Sequence, residues 1–189
     1  MSHLAQSSFQ PLRIAVLTVS DTRTLDTDTS GQTLISHLEE AGHALAARAI
    51  VIDDIYQIRA QLSQWIADAL VQVVLITGGT GFTARDNTPQ AVEPLLDKRV
   101  EGFGELFRQV SVLEIGTSSL QSRALAGIIK GVFVFCLPGS NGAWHWPVCG
   151  WSRSGTQSRQ IGIRHHGYKR HRVEERLLGE ANGYVFRYI

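Results

Sequence analysis

VQVVLITGGTGFTARDNTP, residues 71–89, passes from an apolar run into a glycine-rich loop and then into a helix start. Val71, Val73, Val74, Leu75 and Ile76 read as a strand buried on both faces. Gly78, Gly79 and Gly81 carry no Cβ, so the loop can turn sharply and bring its N–H groups against an anion such as a phosphate or carboxylate. Thr88 fits an N-cap and Pro89 the first helical position. That assignment leaves Asp86 without a structural duty, and its carboxylate could hold a metal ion or shape the charge around a bound anion.

The same alternation continues on either side. Leu12 to Val19 is a near-continuous apolar run, followed by the polar loop SDTRTLDTDTSG. Thr29 with Gln32 reads as a capping box for a helix that buries Leu34, Ile35 and Leu38 and stops at Gly42, with Asp28 in the preceding turn. Ala44 to Ile52 reads as the next strand, and Ile55, Ile58, Leu62, Ile66 and Ala69 recur at helical spacing behind it. Asp54 with Gln57 makes a second capping box; Asp53, at the strand's carboxyl end, is then a spare carboxylate, a solvated loop residue or an alternative cap. Beyond Pro89 a helix is expected from near Glu101, with Phe103, Leu106, Phe107 and Val110 on its apolar face. Ser118 with Gln121 suggests a third capping box ahead of LQSRALAGII, which puts Ser122 and Arg123 on a helix, and Val132 to Leu137 reads as a buried strand ending in PGSNG. Strand and helix in this order predict an α/β fold, a mostly parallel sheet with helices on both faces and right-handed crossovers. Such sheets bind ligands beyond the carboxyl ends of their strands, where Ser20 and Asp21, Asp53, the GGTG loop and Pro138 to Ser140 are expected to meet.

Composition sets the class. At 189 residues, 43% hydrophobic and 19% charged, the chain has globular values, and no apolar run is long enough to cross a bilayer. Without a signal-like apolar core near the N-terminus, a cytoplasmic location is expected. Cys136, inside VFVFCL, is expected to be a small core residue and not part of a disulfide framework. The net charge of +1 conceals two unlike parts, about −4 over residues 1–143 and +5 over residues 144–189. The second part shows neither helical nor alternating periodicity up to residue 165, only Arg170 to Leu178 suits a turn or two of helix, and poor packing or disorder is expected there. His145 and Cys149 are two ligands short of a closed zinc site, with Pro147 between them, and no nucleic-acid reader motif accompanies the basic residues.

LTVSDTR, DTSG, LITGGTGFTARDNTPQA, VEGFGELFR, SSLQSRALAG and LPGS, in that order over roughly residues 10–143, resemble the MoaB/MogA family of molybdenum cofactor biosynthesis. Several motifs agreeing in order are far more specific than one glycine loop. The resemblance implies a three-layer αβα sandwich, the molybdopterin-binding fold, as domain 1–143, with 144–189 an atypical basic tail. It implies Mg²⁺-dependent adenylyl transfer in which ATP and molybdopterin give adenylylated molybdopterin and pyrophosphate. It also implies a homo-oligomer, a hexamer as in the MoaB branch or a trimer as in the MogA branch, working with other molybdenum cofactor biosynthesis proteins.

Carried over residue by residue, the resemblance implies that Gly78, Gly79, Thr80 and Gly81, with Thr88, bind phosphate. Asp53 and Asp86 are implied as catalytic carboxylates that also bind Mg²⁺, and Ser20, Asp21, Ser122, Arg123, Pro138, Gly139 and Ser140 as the border of the ATP and pterin subsites. After PGSNGA the resemblance ends, together with the helix that normally comes next in the family. A replaced terminus or a shifted reading frame is the expectation for residues 144–189, and a non-catalytic or damaged family member is the alternative functional reading.

Overall fold

Six strands and four α-helices alternate along residues 9–139, the part of the chain that the computed structural model describes. In chain order they are β1 (Arg13–Val19), α1 (Thr29–Glu40), β2 (Ala44–Val51), α2 (Ile55–Ala67), β3 (Val73–Thr77), α3 (Thr88–Val92), β4 (Lys98–Arg99), α4 (Phe103–Ile115), β5 (Leu125–Ile129) and β6 (Val132–Leu137). Short 3₁₀ turns cover Glu93–Leu95 and Gly116–Gln121. The strands form one sheet in the order β2-β1-β3-β6-β5-β4. β2, β1, β3 and β6 run parallel, while β5 and β4 join antiparallel at the edge.

Residues alternate along the central strands between two cores. Ile14, Val16, Val73, Leu75, Phe135 and Leu137 face α1 and α4 through Leu34, Leu38, Phe103 and Phe107. Leu17, Val74, Ile76, Val134 and Cys136 face α2 and α3 through Ile58, Leu62, Trp65 and Val92. A helix layer, a sheet and a second helix layer therefore share one sheet between two apolar interfaces, the three-layer architecture expected. Cys136 is a free, fully buried thiol, and burial pushes its pKa well up.

Three local expectations are corrected. The N-cap of α1 is Asp28, not Thr29: its side chain accepts from Gly31 N, and Thr29 already lies in the helix. Asp28 is buried because it also takes a hydrogen bond from Thr18 Oγ1 at 2.8 Å and an ion pair from Arg48 at 3.0 Å, contacts from β1 and β2 that no local pattern announces. Ser118 and Gln121 open no α-helix; they lie in the 3₁₀ turn, and the LAGII expected to be helical is β5. Lys130 and Gly131, with φ of 49° and 85°, make the two-residue turn that folds β5 back on β6. Thr88 is likewise the first residue of α3 and not its cap, with Asn87 before it and Pro89 still in the first turn. Asp54 does cap α2, accepting from Tyr56 N and Gln57 N. Ser140, His145, Cys149, the helical turn at Arg170–Leu178 and the tail 144–189 lie outside the described residues.

Candidate functional site at the strand ends

Register brings the carboxyl ends of the parallel strands level. Thr18 pairs with Thr77 across β1 and β3, Thr77 with Leu137 across β3 and β6, and Val19 with Val51 across β1 and β2. The loops that leave these ends are then stitched together: Ser20 N donates to Val51 O, Gly78 N to Leu137 O, and Asp53 N to Asp21 Oδ1, at 2.9, 3.1 and 3.1 Å. β1 is flanked in space by β2 on one side and β3 on the other, so the crevice opens where the strand order reverses. Gly78 and Gly79 adopt φ of 99° and 63°, the left-handed region that disfavours side chains. A Cβ at Gly78 would stand 2.3 Å from Val19 O, and one at Gly79 would stand 2.5 Å from Asp53 Oδ2. Glycine is thus required at both positions by close approach as well as by backbone conformation.

The two expected carboxylates flank this loop. Asp53 Oδ1 accepts from Asn87 N at 2.9 Å while Oδ2 faces Gly79. Burial raises the Asp53 pKa, partly offset by the Asn87 hydrogen bonds, and the charges of Asp86 and Asp21 raise it further. On the other side, Asp86 Oδ2 accepts from Thr83 N and Thr83 Oγ1 at 2.8 and 2.6 Å and approaches Gly81. Burial acts to raise the Asp86 pKa, but the Thr83 bonds, the Gly81 N–H and the Arg123 charge outweigh it and lower it. Both aspartates therefore have structural duties that their sequence positions did not reveal: Asp53 holds the start of α3, and Asp86 closes its own loop. Among the described residues no group of three or more His, Cys, Asp or Glu side chains forms a metal-binding cluster. Two hard carboxylates beside a glycine-rich loop nevertheless suit Mg²⁺, which is commonly held by one or two carboxylates plus substrate phosphates.

The remaining expected residues divide. Thr88 is fully buried and donates from Oγ1 to Gly78 O at 2.8 Å, fastening α3 to the loop. Thr80 is buried, and its carbonyl accepts from Arg123 N at 3.1 Å. Asp21 pairs with Arg85, and Ser20 Oγ accepts from Thr22 N and Arg23 N, within its own loop. Pro138 and Gly139 lie against the loop, a Cβ at Gly139 falling 3.3 Å from Gly78 Cα, and Pro138 O accepts from Thr77 Oγ1 at 3.5 Å. Arg123 donates from Nε to Gly81 O at 2.7 Å and from Nη2 to Asp86 O, with its guanidinium 5.4 Å from the Phe82 ring centre. Ser122 is not brought to the crevice by any such contact: it is buried beside α4, where its carbonyl accepts from Arg108 and its Oγ from Ala124 N.

Sequence reasoning missed Ser30, Thr83, Arg85 and Asn87. Ser30 Oγ donates to Gly139 O at 3.0 Å, tying the first turn of α1 to the PGS loop. Ser30 sits within DTSG, so a signal existed, but its neighbour Thr29 offered the more obvious cap. Thr83 and Asn87 flank the aspartate in TARDN, three before and one after it, where an Asx-type turn was readable.

Comparison with known proteins adds the family. Residues 15–145 match a family model described as "Probable molybdopterin binding domain". The chain is 55% identical over 137 residues to molybdenum cofactor biosynthesis protein B of Escherichia coli K12, covering 72% of this chain and 81% of that one. A crystal structure of a molybdenum cofactor biosynthesis protein B superposes with a TM-score of 0.70 at 48% identity, covering 72% of this chain and 86% of the other. The tungsten cofactor synthesizing protein MoaB from Pyrococcus furiosus superposes with a TM-score of 0.64 at 37% identity, covering 72% and 88%.

Proposed function

This chain belongs to the MoaB/MogA family of molybdopterin-binding domains, and on that premise we propose that it acts in molybdenum cofactor biosynthesis as a Mg²⁺-dependent molybdopterin adenylyltransferase. The terminal phosphate oxygen of molybdopterin bonds to the α-phosphorus of ATP, the bond from that phosphorus to the bridging oxygen of the β-phosphate breaks, and pyrophosphate leaves. The attacking phosphate is already an anion, so no side chain has to remove a proton. The protein's task is alignment and charge neutralisation.

The observation that carries this reading is the placement of Asp53 and Asp86 on opposite flanks of one glycine loop, each with a carboxylate oxygen within 3 Å of the space a glycine Cβ would fill. The Gly78–Gly81 loop binds a phosphate in that crevice through the N–H groups of Gly79 and Thr80, those of Gly78 and Gly81 being engaged by Leu137 O and the Asp86 carboxylate, with Thr88 holding the loop from behind. Asp53 and Asp86 are the residues that would hold Mg²⁺, which would supply neutralisation of charge on the transferring phosphoryl group. Asp21 with Arg85 on one side, and Pro138 and Gly139 on the other, border the two substrates. Ser30, at the start of α1, supports the Gly139 side.

Purified protein incubated with molybdopterin, Mg²⁺ and ATP labelled at the α-phosphate is expected to transfer the label to the pterin and release unlabelled pyrophosphate. A folded protein that binds molybdopterin and yields no labelled pterin would be a pterin-binding or assembly protein instead.

A further inference from the structure

The loop that carries Asp86 is held from outside itself. Between Thr80 and Asn87 its internal bonds are those of Thr83 with Asp86, of the Gly81 N–H with the Asp86 carboxylate and of Arg85 N with Thr83 Oγ1. From outside, Asn87 N donates to Asp53 Oδ1 and Arg85 pairs with Asp21, and Arg123, 37 positions beyond Asp86 in the chain, reaches both the Gly81 and the Asp86 side of the loop. The Arg123 main-chain N–H binds Thr80 O, Nε binds Gly81 O, Nη2 binds Asp86 O, and the guanidinium lies over Phe82. A planar fork with donors on two edges can span two carbonyls at once, which a lysine ammonium at the end of a flexible stem cannot do. Among the described residues Arg123 makes no contact ion pair; its side chain is bonded to the two loop carbonyls and lies by the ring, while its charge acts at longer range on the Asp86 carboxylate.

We propose that Arg123 is the positioning residue of the site: it clamps both ends of the Gly81–Asp86 loop and so sets where the Asp86 carboxylate stands, without itself contacting substrate. The catalytic half of this inference rests on the reading of Asp86 as a site carboxylate, while the clamp itself is testable with no substrate present. Arg123 also lines a cavity of about 280 Å³ with Pro89, Gln90, Ala124 and Leu125, and that cavity gives a small cation access to the position the side chain would vacate.

The test uses Arg123→Lys, Arg123→Ala and, as a milder variant should the alanine form fail to fold, Phe82→Leu. Amide hydrogen exchange of Phe82 to Asn87 is measured first, without substrates. Exchange there is expected to speed at least tenfold in both arginine variants while β1 and β3 stay protected, and to speed less in Phe82→Leu. Lysine that keeps the loop as protected as arginine does would overturn the clamp. Adenylyl transfer is measured next. A misplacement of about 1 Å costs on the order of 10²-fold in rate, so kcat is expected to fall by about that factor with KM for ATP nearly unchanged. Added guanidinium at sub-denaturing concentration is expected to restore kcat in Arg123→Ala, whereas ammonium is not. A loss carried in KM with kcat kept would make Arg123 a substrate contact and overturn the positioning role. Were no transfer found even in the unaltered protein, the proposed function would fall while the exchange result still decided the clamp.

Discussion

At Asp86 two demands meet in one side chain. Its Oδ2 already takes two hydrogen bonds from Thr83, and it is also the carboxylate on the Gly81 flank of the loop. Asparagine retains an oxygen that can accept from Thr83 but loses the charge, so Asp86→Asn is expected to keep the melting temperature within a few degrees and to slow adenylyl transfer on the order of 10²-fold. Unchanged transfer in a folded variant would remove Asp86 from the mechanism. Gly79→Ala makes the complementary case: its Cβ would meet Thr88 Oγ1 at 2.4 Å and Asp53 Oδ2 at 2.5 Å, in a backbone conformation that disfavours it. Lowered stability and lost transfer are both expected, read by thermal melting and the same assay, and wild-type values for both would show that the loop tolerates the crowding. Asp53 was legible as a site candidate because it stood at a strand end beside a better cap in Asp54; Asp86 was legible by its place after the glycine loop, although Thr88, expected to cap the next helix in its stead, is the first residue of α3. Their hydrogen-bond partners were less so, since Asn87 meets Asp53 from 34 positions away.

Single elements depend on polar contacts that cross between them. The start of α1 is fixed through Asp28, which caps the helix, receives Thr18 from β1 and pairs with Arg48 from β2. Removing one partner of a buried, hydrogen-bonded pair leaves the other uncompensated, so Asp28→Ala is expected to cost roughly 3 kcal/mol or more, measured by urea unfolding; less than about 1 kcal/mol would reduce Asp28 to an ordinary exposed cap. The entry to β1 depends on His43, just ahead of β2, whose Nδ1 accepts from Leu12 N at 3.1 Å. Burial holds the His43 pKa down to about 4. The unfolded chain takes up that proton near pH 6.5 and the folded chain only near 4, so this contribution is whole above 6.5 and is lost as the pH falls from 6.5 toward 4. Melting temperature is expected to decline through that window, and His43→Gln is expected to flatten the decline; an identical slope in the variant would place the acid sensitivity elsewhere. At β5 the local pattern misled, because LAGII fits a helical period as well as a strand. Its partner β6 and the left-handed Lys130–Gly131 turn decided the matter, and a short apolar run does not carry that information alone.

On the scale of the whole molecule, several of the described domain's exposed large apolar side chains fall on α4 and the turn after it. Val112, Leu113 and Ile115 on α4 and Leu120 on the adjoining 3₁₀ turn are exposed, Leu113 by 72% and Leu120 by 68%. An apolar cluster of this kind is an expected contact in the homo-oligomer that the family resemblance implies. Sedimentation velocity is expected to show a trimer or hexamer for the unaltered chain and a shift toward monomer for Leu113→Lys combined with Leu120→Lys. A double variant that sediments as the parent does would move the contact to another face. Among the described residues no helix is long and apolar enough to cross a membrane.

The sequence by itself determined the strand and helix order up to α3, the parallel core of the sheet, the Asp54 cap and the glycine loop with its two aspartates. Each of these depends on local quantities: side-chain periodicity, backbone freedom at glycine and proline, and the short reach of a cap. Only the tertiary structure decided that Asp28 is buried, that LAGII is a strand, that Ser30 supports Gly139 across 109 residues and that Arg123 fastens the loop. Those outcomes depend on which distant groups the packed sheet brings within hydrogen-bond reach, where an unpartnered buried polar group is costly, and sequence spacing does not encode that proximity.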